Sequence, residues 1–189
     1  TPLYSSAASD VYKRQDLLTV VIRLHSLGPG RDRKNGQNWS GAFMHTLASL
    51  EISGNIGTLT LDRPESRNAL SIELLDALHA KVDELATRRD VIALIVTGAG
   101  KSFCAGMDLK EVLNEPGAPL KLLSSLGEFT LKLRALPMIT IASVNGAAIG
   151  GGCGLATVCD FALTHADSKM GFPEVDLGVC PAVVAPWLI

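Results

Sequence analysis

Strand-like and helix-like segments alternate along this 189-residue chain from Glu51 onward, and that order limits the folds open to it. Residues 56–61 alternate apolar and small polar side chains and end at a turn, which is typical of a strand. Later apolar runs over 91–97, 138–144 and 161–164 predict three further strands. The first of these runs is continuous, which predicts a strand buried on both faces.

Helical spacing separates the predicted strands. After Ser71, a residue type that favours a helix N-cap, apolar residues recur every three or four positions as far as Leu85. The same spacing covers 122–136 and ends at Pro137, and residues 153–158 predict a short third helix. Because strands alternate with helices, we expect an α/β domain with a largely parallel sheet.

Composition excludes several classes of protein. The chain has 17 Lys and Arg against 19 Asp and Glu, a net charge of −2, which argues against a nucleic-acid-binding domain. Its 47% hydrophobic content argues against disorder. No apolar run approaches the ~18 to 20 residues that a membrane span needs. The cysteines form no CxxC pair, which predicts reduced, buried thiols in a cytoplasmic protein; they are Cys104, Cys153, Cys159 and Cys180.

The first 43 residues differ from the rest of the chain. They carry six basic and three acidic residues, and the segment 28–38 has no hydrophobic residue. We expect 1–43 to be a disordered or non-native, adapter-like leader, with a genuine N-terminal tail as the alternative, and 44–189 to be one domain. The sequence stops inside the apolar stretch 186–189, which predicts a fragment that lacks its C-terminal part.

Three glycine-rich turns are candidates for chemistry. The turn 97–102 (TGAGKS) is similar to a phosphate-binding loop, but Ile95 stands where that motif needs its first glycine, so nucleotide hydrolysis is disfavoured. The turn 103–109 (FCAGMDL) has small residues that let a ligand approach the backbone. The turn 145–154 (NGAAIGGGCG) places three consecutive glycines before a helix, whose free N–H groups suit a developing oxyanion. Tight packing of that helix on its sheet is the alternative explanation.

Taken with their neighbours, these residues resemble the enoyl-CoA hydratase/isomerase (crotonase) family. Four motifs occur in order: LDRPESRNAL (61–70), TGAGKSFCAGMDLKE (97–111), PMITIASVNGAAIGGGCGLATVCDFAL (137–163) and KMGFPEVDLGVCPA (169–182). The resemblance implies an α/β fold with a crotonase-like spiral core of ββα units, without the family's C-terminal helical part. It also implies an acyl-CoA substrate, a CoA thioester, with no cofactor and no metal.

The resemblance assigns roles to individual positions. The backbone N–H groups of Met107 and Gly151 match the two donors of the family's oxyanion hole. Other positions match residues that bind substrate: the stretch from Arg67 through Asn68 to Ala69, together with Ala105, matches the adenine and pantetheine path. Three more match the acyl-thioester pocket, namely Asp108, Leu109 and Lys110.

The acid–base residues depart from the hydratase pattern. Hydratases of the family usually carry one glutamate directly after the Gly-Gly-Gly-Cys run, where this chain has Gly154, and a second 20 residues later, where it has Glu174. Glu174 lies among apolar neighbours and is the predicted catalytic acid–base group. Asp176 is its one rival, since on an extended segment the two side chains would share a face. Hydration and double-bond isomerisation of an enoyl-CoA both stay open.

Several expectations concern the whole protein. The family implies a homotrimer or a dimer of trimers, located in the cytoplasm, with neither nucleic acid nor membrane as a partner. The alternative function is a non-catalytic or inactive acyl-CoA-binding relative, and the truncation itself could leave this chain inactive.

Overall fold

The computed structural model describes residues 46–114 and 116–188, so the predicted leader 1–43 lies outside the described residues. The strands in this part are β1 (Ala48–Ser53), β2 (Ile56–Leu61), β3 (Ala93–Gly98), β4 (Ser102–Cys104), β5 (Ile139–Val144), β6 (Ala147–Ile149), β7 (Phe161–Thr164) and β8 (Met170–Gly171). The α-helices are α1 (Ile72–Ala86), α2 (Leu109–Asn114), α3 (Ala118–Arg134) and α4 (Gly151–Val158). Short 3₁₀ helices cover Pro64–Ser66, Pro173–Leu177 and Ala185–Trp187.

The larger sheet has the strand order β1-β2-β3-β5-β7. β1 and β2 form an antiparallel hairpin, and every other neighbouring pair is parallel. The helical connections between parallel strands explain this arrangement, because a parallel neighbour requires a crossover. The predicted α/β class and the largely parallel sheet are therefore confirmed, whereas β1 was not predicted.

A second, smaller sheet joins three strands of two or three residues in the order β4-β6-β8. All its neighbouring pairs are parallel. Strands this short have no measurable period, so the sequence pattern did not reveal them. Because the strands run in one direction, their carboxyl ends meet at one edge of the sheet. That edge is the part of the fold that positions the candidate site.

The main core lies between the larger sheet and helices α1 and α3. Ser71 caps α1 as predicted, since its side-chain oxygen accepts a hydrogen bond from the Leu74 N–H at 3.1 Å. The two helices contact each other through His79 of α1, whose Nε2 lies 3.1 Å from the Ser125 carbonyl oxygen of α3. The largest fully buried side chains are Phe103, Phe129 and a set of leucines: Leu59, Leu61, Leu70, Leu74, Leu75, Leu78, Leu85, Leu94, Leu122 and Leu133.

The prediction that the strand over 91–97 is buried on both faces was wrong. Leu94 and Val96 are buried, but the alternating residues Ile95 and Thr97 are only half-buried. Helix α1 covers one face of the sheet, and the opposite face retains part of its exposure. A continuous apolar run does not distinguish these two cases.

In the described ranges, no helix has both the length and the apolar character needed to cross a membrane.

Candidate active site

The segment 105–108 follows β4 and lies beside the segment 67–70. The Leu70 N–H donates to the Gly106 carbonyl at 2.7 Å, and the Asp108 N–H donates to the Leu70 carbonyl at 2.9 Å. The Gly106 carbonyl and the Met107 N–H belong to one trans peptide unit, so they point in opposite directions. The Met107 N–H therefore points away from Leu70, and it has no hydrogen-bond partner among the described residues.

The glycine turn after β6 lies against Gly106. Gly106 adopts a positive φ of 89°, and a Cβ added there would lie 2.8 Å from the Ile149 carbonyl oxygen. The same Cβ position is 3.8 Å from the Gly151 nitrogen. Any side chain at residue 106 would separate the two turns, so glycine is required for their close approach. Gly106, the residue before Met107, thus lies directly against the turn that carries Gly151.

Gly151 begins helix α4, and its N–H group belongs to the unpaired set at the helix N-terminus. The first bond within the helix runs from the Gly154 N–H to the Gly150 carbonyl at 3.0 Å. A Cβ added at Gly151 would lie 2.9 Å from Leu70 Cδ1 and 3.2 Å from Leu126 Cδ2. These leucines form an apolar wall beside the donor, which strengthens its interaction with a charged acceptor.

Glu174 lies in the first turn of the 3₁₀ helix Pro173–Leu177, just after β8, and is half-buried. Both of its carboxylate oxygens lie 3.4 Å from the position that a Gly150 Cβ would occupy. The carboxylate is therefore beside the residue that precedes Gly151. Each strand of the small sheet is followed, two or three residues after its carboxyl end, by one of the predicted residues: Met107 after β4, Gly151 after β6 and Glu174 after β8. This order brings the three residues to one edge of the small sheet.

The prediction that Glu174 and Asp176 share a face was wrong. Residues 173–177 form a 3₁₀ helix and not an extended segment. With three residues per turn, side chains two positions apart are separated by about 240° around the helix axis. Asp176 is accordingly exposed, whereas Glu174 is half-buried next to the glycine turn.

Gly154 is packed directly against the C-terminal part of the described chain. A Cβ added to it would lie 2.2 Å from Val184 Cγ1 and 2.6 Å from Val184 Cβ. Val184 is 3% exposed and forms a small apolar cluster with Cys153 and Phe172. The family pattern leads us to expect a glutamate at position 154. The Val184 side chain fills the space that a side chain at this position would occupy.

The predicted substrate-binding residues lie around the same two segments but differ in exposure. Ala69 is buried, Ala105 is half-buried, and the Ala105 N–H donates to the Arg67 carbonyl at 3.0 Å. Arg67 is exposed and has a left-handed φ of 54°. Asp108 is half-buried, whereas Leu109 and Lys110 are exposed at the start of α2.

The side chain of Asn68 has a structural role. It is fully buried, and its Nδ2 donates to the carbonyls of Ala99 and Ser102, each at 2.9 Å. Its Oδ1 accepts from the Arg63 N–H at 2.9 Å. The amide thus holds the turn 98–102 against the end of β2.

The side chain of a second asparagine, Asn145, bonds to the backbone of the TGAGKS turn. Asn145 Nδ2 donates to the Gly98 carbonyl at 2.8 Å, and its Oδ1 accepts from the Gly98 N–H at 3.2 Å. A Cβ added at Gly98 would lie 2.3 Å from the Phe103 carbonyl oxygen. These contacts give Gly98 a packing role.

Sequence reasoning missed Arg63, which contacts both segments of the site. Its Nη1 donates to the Ala69 carbonyl at 2.8 Å, and its Nη2 lies 3.2 Å from Asp108 Oδ2. The sequence marks Arg63 only as part of the first motif, because the partners are six and 45 residues away.

Three of the four cysteines are buried as predicted, but Cys180 is exposed. Burial raises the pKa of the Cys104 and Cys159 thiols to about 12 and that of Cys153 to about 11. The Glu174 carboxylate also raises the pKa of Cys153. No three His, Cys, Asp or Glu side chains of the described residues are grouped so that they could hold a metal ion.

The fold and these glycine turns define a crotonase-type α/β domain. The structure is similar to that of Pseudomonas aeruginosa AtuE, with a TM-score of 0.71, 37% identity, and coverage of 75% of this chain and 57% of the other. A Bacillus anthracis enoyl-CoA hydratase has a TM-score of 0.69 and 29% identity, over 72% of this chain and 54% of that protein.

The sequence comparisons agree with the structural ones. The enoyl-CoA hydratase/isomerase family model matches residues 51–189, and the chain belongs to this family. Enoyl-CoA hydratase AKT6-1 of Alternaria alternata is 39% identical over 140 residues, which are 74% of this chain and 46% of the relative. The probable enoyl-CoA hydratase echA8 of Mycobacterium tuberculosis is 37% identical over 134 residues, 71% of this chain and 52% of the relative. The chain thus spans about half the length of these relatives.

Proposed function

We propose that the protein binds an acyl-CoA thioester and either hydrates an enoyl-CoA or shifts its double bond. The observation that supports this proposal is that Met107, Gly151 and Glu174 each follow, by two or three residues, the carboxyl end of a strand of the small parallel sheet. In the proposed complex the two N–H groups donate to the thioester carbonyl oxygen. They stabilise the negative charge that this oxygen acquires when the thioester becomes an enolate.

The effect of such donors on kcat is large enough to support catalysis. Removal of one donor from an oxyanion hole typically lowers kcat by ~100- to 1000-fold. Here Met107 supplies a donor fixed by the bond between the Leu70 N–H and the Gly106 carbonyl, and Gly151 supplies a donor at a helix N-terminus. The positive end of the helix dipole adds to the attraction for an oxyanion.

Glu174 is the proposed acid–base group. In hydration it would take a proton from water as the oxygen bonds to C3, and it would then give that proton to C2 of the enolate. In isomerisation it would remove a proton from C2 of a 3-enoyl thioester and return it to C4. Either step uses one carboxylate beside the bound thioester.

One observation favours isomerisation over standard hydration. Two-carboxylate hydration holds and activates one water between two groups, and Val184 fills the space next to Gly154 where the second group would be needed. The names of the relatives favour hydration, since the fungal and mycobacterial proteins are both called hydratases. Both reactions therefore belong to the proposal, and the substrate assay separates them.

The test is an assay of the chain with crotonyl-CoA and with a 3-enoyl-CoA, alongside the variant Glu174→Gln. We expect turnover of one substrate and a loss of at least ~100-fold in Glu174→Gln, with acyl-CoA binding retained. Asp176→Asn is the matched control, because this exposed carboxyl lies two residues away, and it should keep wild-type activity. Binding of acyl-CoA without turnover of either substrate would establish the alternative, a non-catalytic relative.

The predicted assembly and substrate form are part of the same proposal. A homotrimer or dimer of trimers is tested by light scattering after gel filtration. The CoA thioester serves as the substrate, and the reaction as proposed draws on no cofactor and no metal.

A further inference from the structure

We infer that Arg63 is a positioning residue that orients the Met107 N–H and strengthens it as a donor. The inference rests on the proposed function, because it concerns the oxyanion donor assigned there. It is carried by two contacts of one guanidinium group, which holds the segment 67–70 with one nitrogen and the segment 105–108 with the other.

The first contact starts a continuous series of hydrogen bonds through two peptide units. Arg63 Nη1 donates to the Ala69 carbonyl at 2.8 Å. That carbonyl shares its peptide unit with the Leu70 N–H, which donates to the Gly106 carbonyl at 2.7 Å. The Gly106 carbonyl in turn shares its peptide unit with the Met107 N–H. A positive charge therefore lies at one end of the series, and the proposed oxyanion donor lies at the other.

This arrangement has an electrostatic consequence. Each hydrogen bond in such a series polarises the next, and a charged donor makes the first bond stronger than a neutral one. Polarisation of the Gly106 carbonyl increases the positive charge on the Met107 hydrogen. The series also fixes the direction of that N–H, because both peptide units are planar and trans.

The second contact fixes the residue that follows the donor. Arg63 Nη2 and Asp108 Oδ2 are 3.2 Å apart, and the two side chains are only 16% and 15% exposed. The other carboxylate oxygen of Asp108 accepts from the Lys110 N–H at 3.2 Å. The Asp108 backbone N–H is bonded to the Leu70 carbonyl. Leu70 and Met107 form an isolated parallel β-bridge. Arg63 therefore holds the residue before Leu70 in one segment and the residue after Met107 in the other.

Lysine cannot reproduce these contacts. A guanidinium presents several N–H donors in a fixed plane, whereas an ammonium group is a single charged centre on a flexible stem. Arg63→Lys should keep the charge near Asp108 but lose the directed bond to the Ala69 carbonyl or hold it less well. Arg63→Gln should remove the charge from the series entirely.

The experiment measures the donor directly, with the 189-residue chain and a cinnamoyl-CoA that carries an electron-donating amino group on its ring. The absorption band of this probe moves to longer wavelength when the thioester carbonyl is polarised. We expect wild type to produce this shift on binding, Arg63→Gln to lose most of it, and Arg63→Lys to be intermediate. In turnover assays, kcat of Arg63→Gln should fall about 10- to 100-fold, less than the loss of a whole donor, with a smaller change in KM.

The readout separates positioning from simple loss of stability. The wavelength of the bound probe does not depend on the folded fraction, which circular dichroism and urea unfolding measure independently. Arg88→Gln is the control, since it breaks the exposed ion pair between Arg88 and Asp90. This pair precedes β3, whereas the glycine turns follow the opposite ends of the strands, so the variant should leave the wavelength of the bound probe unchanged.

The outcomes distinguish this inference from the proposed function. If wild type shifts the probe and folded Arg63→Gln shifts it equally, the role of Arg63 is refuted while the oxyanion hole stands. If wild type binds the probe with no shift, the donor pair is wrong and both proposals fail.

Discussion

Replacing Gly154 by alanine should destabilise the chain, although the same substitution inside a helix ordinarily has the opposite effect. The change from glycine to alanine in a helix interior contributes about 1 kcal/mol of stability. At Gly154 the new Cβ would lie 2.2 Å from Val184 Cγ1, well inside the ~3.5 to 4.0 Å of a normal carbon–carbon contact. One of the two side chains must therefore move by more than about 1 Å.

Val184 has little freedom to make that movement. It is 3% exposed, packed in an apolar cluster, and β-branched, so its χ1 angle is restricted. Overpacking of a buried site costs about 1 to 3 kcal/mol, and this contact is close enough to place the cost near the upper limit. After the gain in helix propensity is subtracted, we expect a net loss of about 2 kcal/mol in the free energy of unfolding.

The assay is urea unfolding followed by circular dichroism. Gly127→Ala is the matched control, because Gly127 is also inside a helix but its added Cβ would meet Val183 Cγ1 at an ordinary 3.7 Å. This variant should gain up to about 1 kcal/mol. In a Val184→Ala background the loss from Gly154→Ala should shrink by at least about 1 kcal/mol, as expected for two residues in contact. The packing argument is refuted if Gly154→Ala is as stable as Gly127→Ala.

Three further predictions concern the helix cap, a surface carboxyl and the thiols. Ser71→Ala should lower the free energy of unfolding by about 1 kcal/mol, while Ser71→Thr keeps the side-chain acceptor for the Leu74 N–H; no difference between them would contradict the capping role. The hydrogen bond from the Thr140 backbone N–H is the main cause that holds the pKa of Asp160 below its usual value. The ionised Asp160 carboxylate therefore stabilises the fold above about pH 4, and this contribution is lost as pH falls through the folded pKa. The stability difference between wild type and Asp160→Asn, measured in urea from pH 7 to pH 3, should therefore shrink at the acid end, and a constant difference would exclude this explanation. Iodoacetamide at pH 8 should modify one thiol of the folded chain, Cys180, because the other three cysteines are buried and have raised pKa values; labelling that persists in Cys180→Ser would show otherwise.

Local patterns in the sequence were sufficient for the longer elements. The apolar spacing after Ser71 predicted α1, which runs from Ile72 to Ala86, and the alternation over 56–61 predicted β2 with its observed bounds. These predictions succeed because periodicity and capping depend on residues only a few positions apart. The alternating order of strands and helices likewise determined the largely parallel sheet, since each helix supplies the crossover that parallel neighbours need.

Motif resemblance identified the candidate residues Met107, Gly151 and Glu174, but it did not explain why they should meet. The small sheet explains it, because parallel strands bring their carboxyl ends, and the residues that follow them, to one edge. Strands of two or three residues have no period, so this sheet was invisible in the sequence. The 3₁₀ helix over 173–177 is likewise too short to show a period, so the prediction of an extended segment with Asp176 beside Glu174 was wrong.

The sequence by itself determined the α/β class, the main elements and the positions that match the family. Only the tertiary structure decided which side chains share the site. Val184 fills the space beside Gly154, 30 positions away, and Arg63 contacts Asp108, 45 positions away, while it also holds Ala69. Such contacts depend on how distant segments pack, and the identity of either residue alone carries no information about its partner.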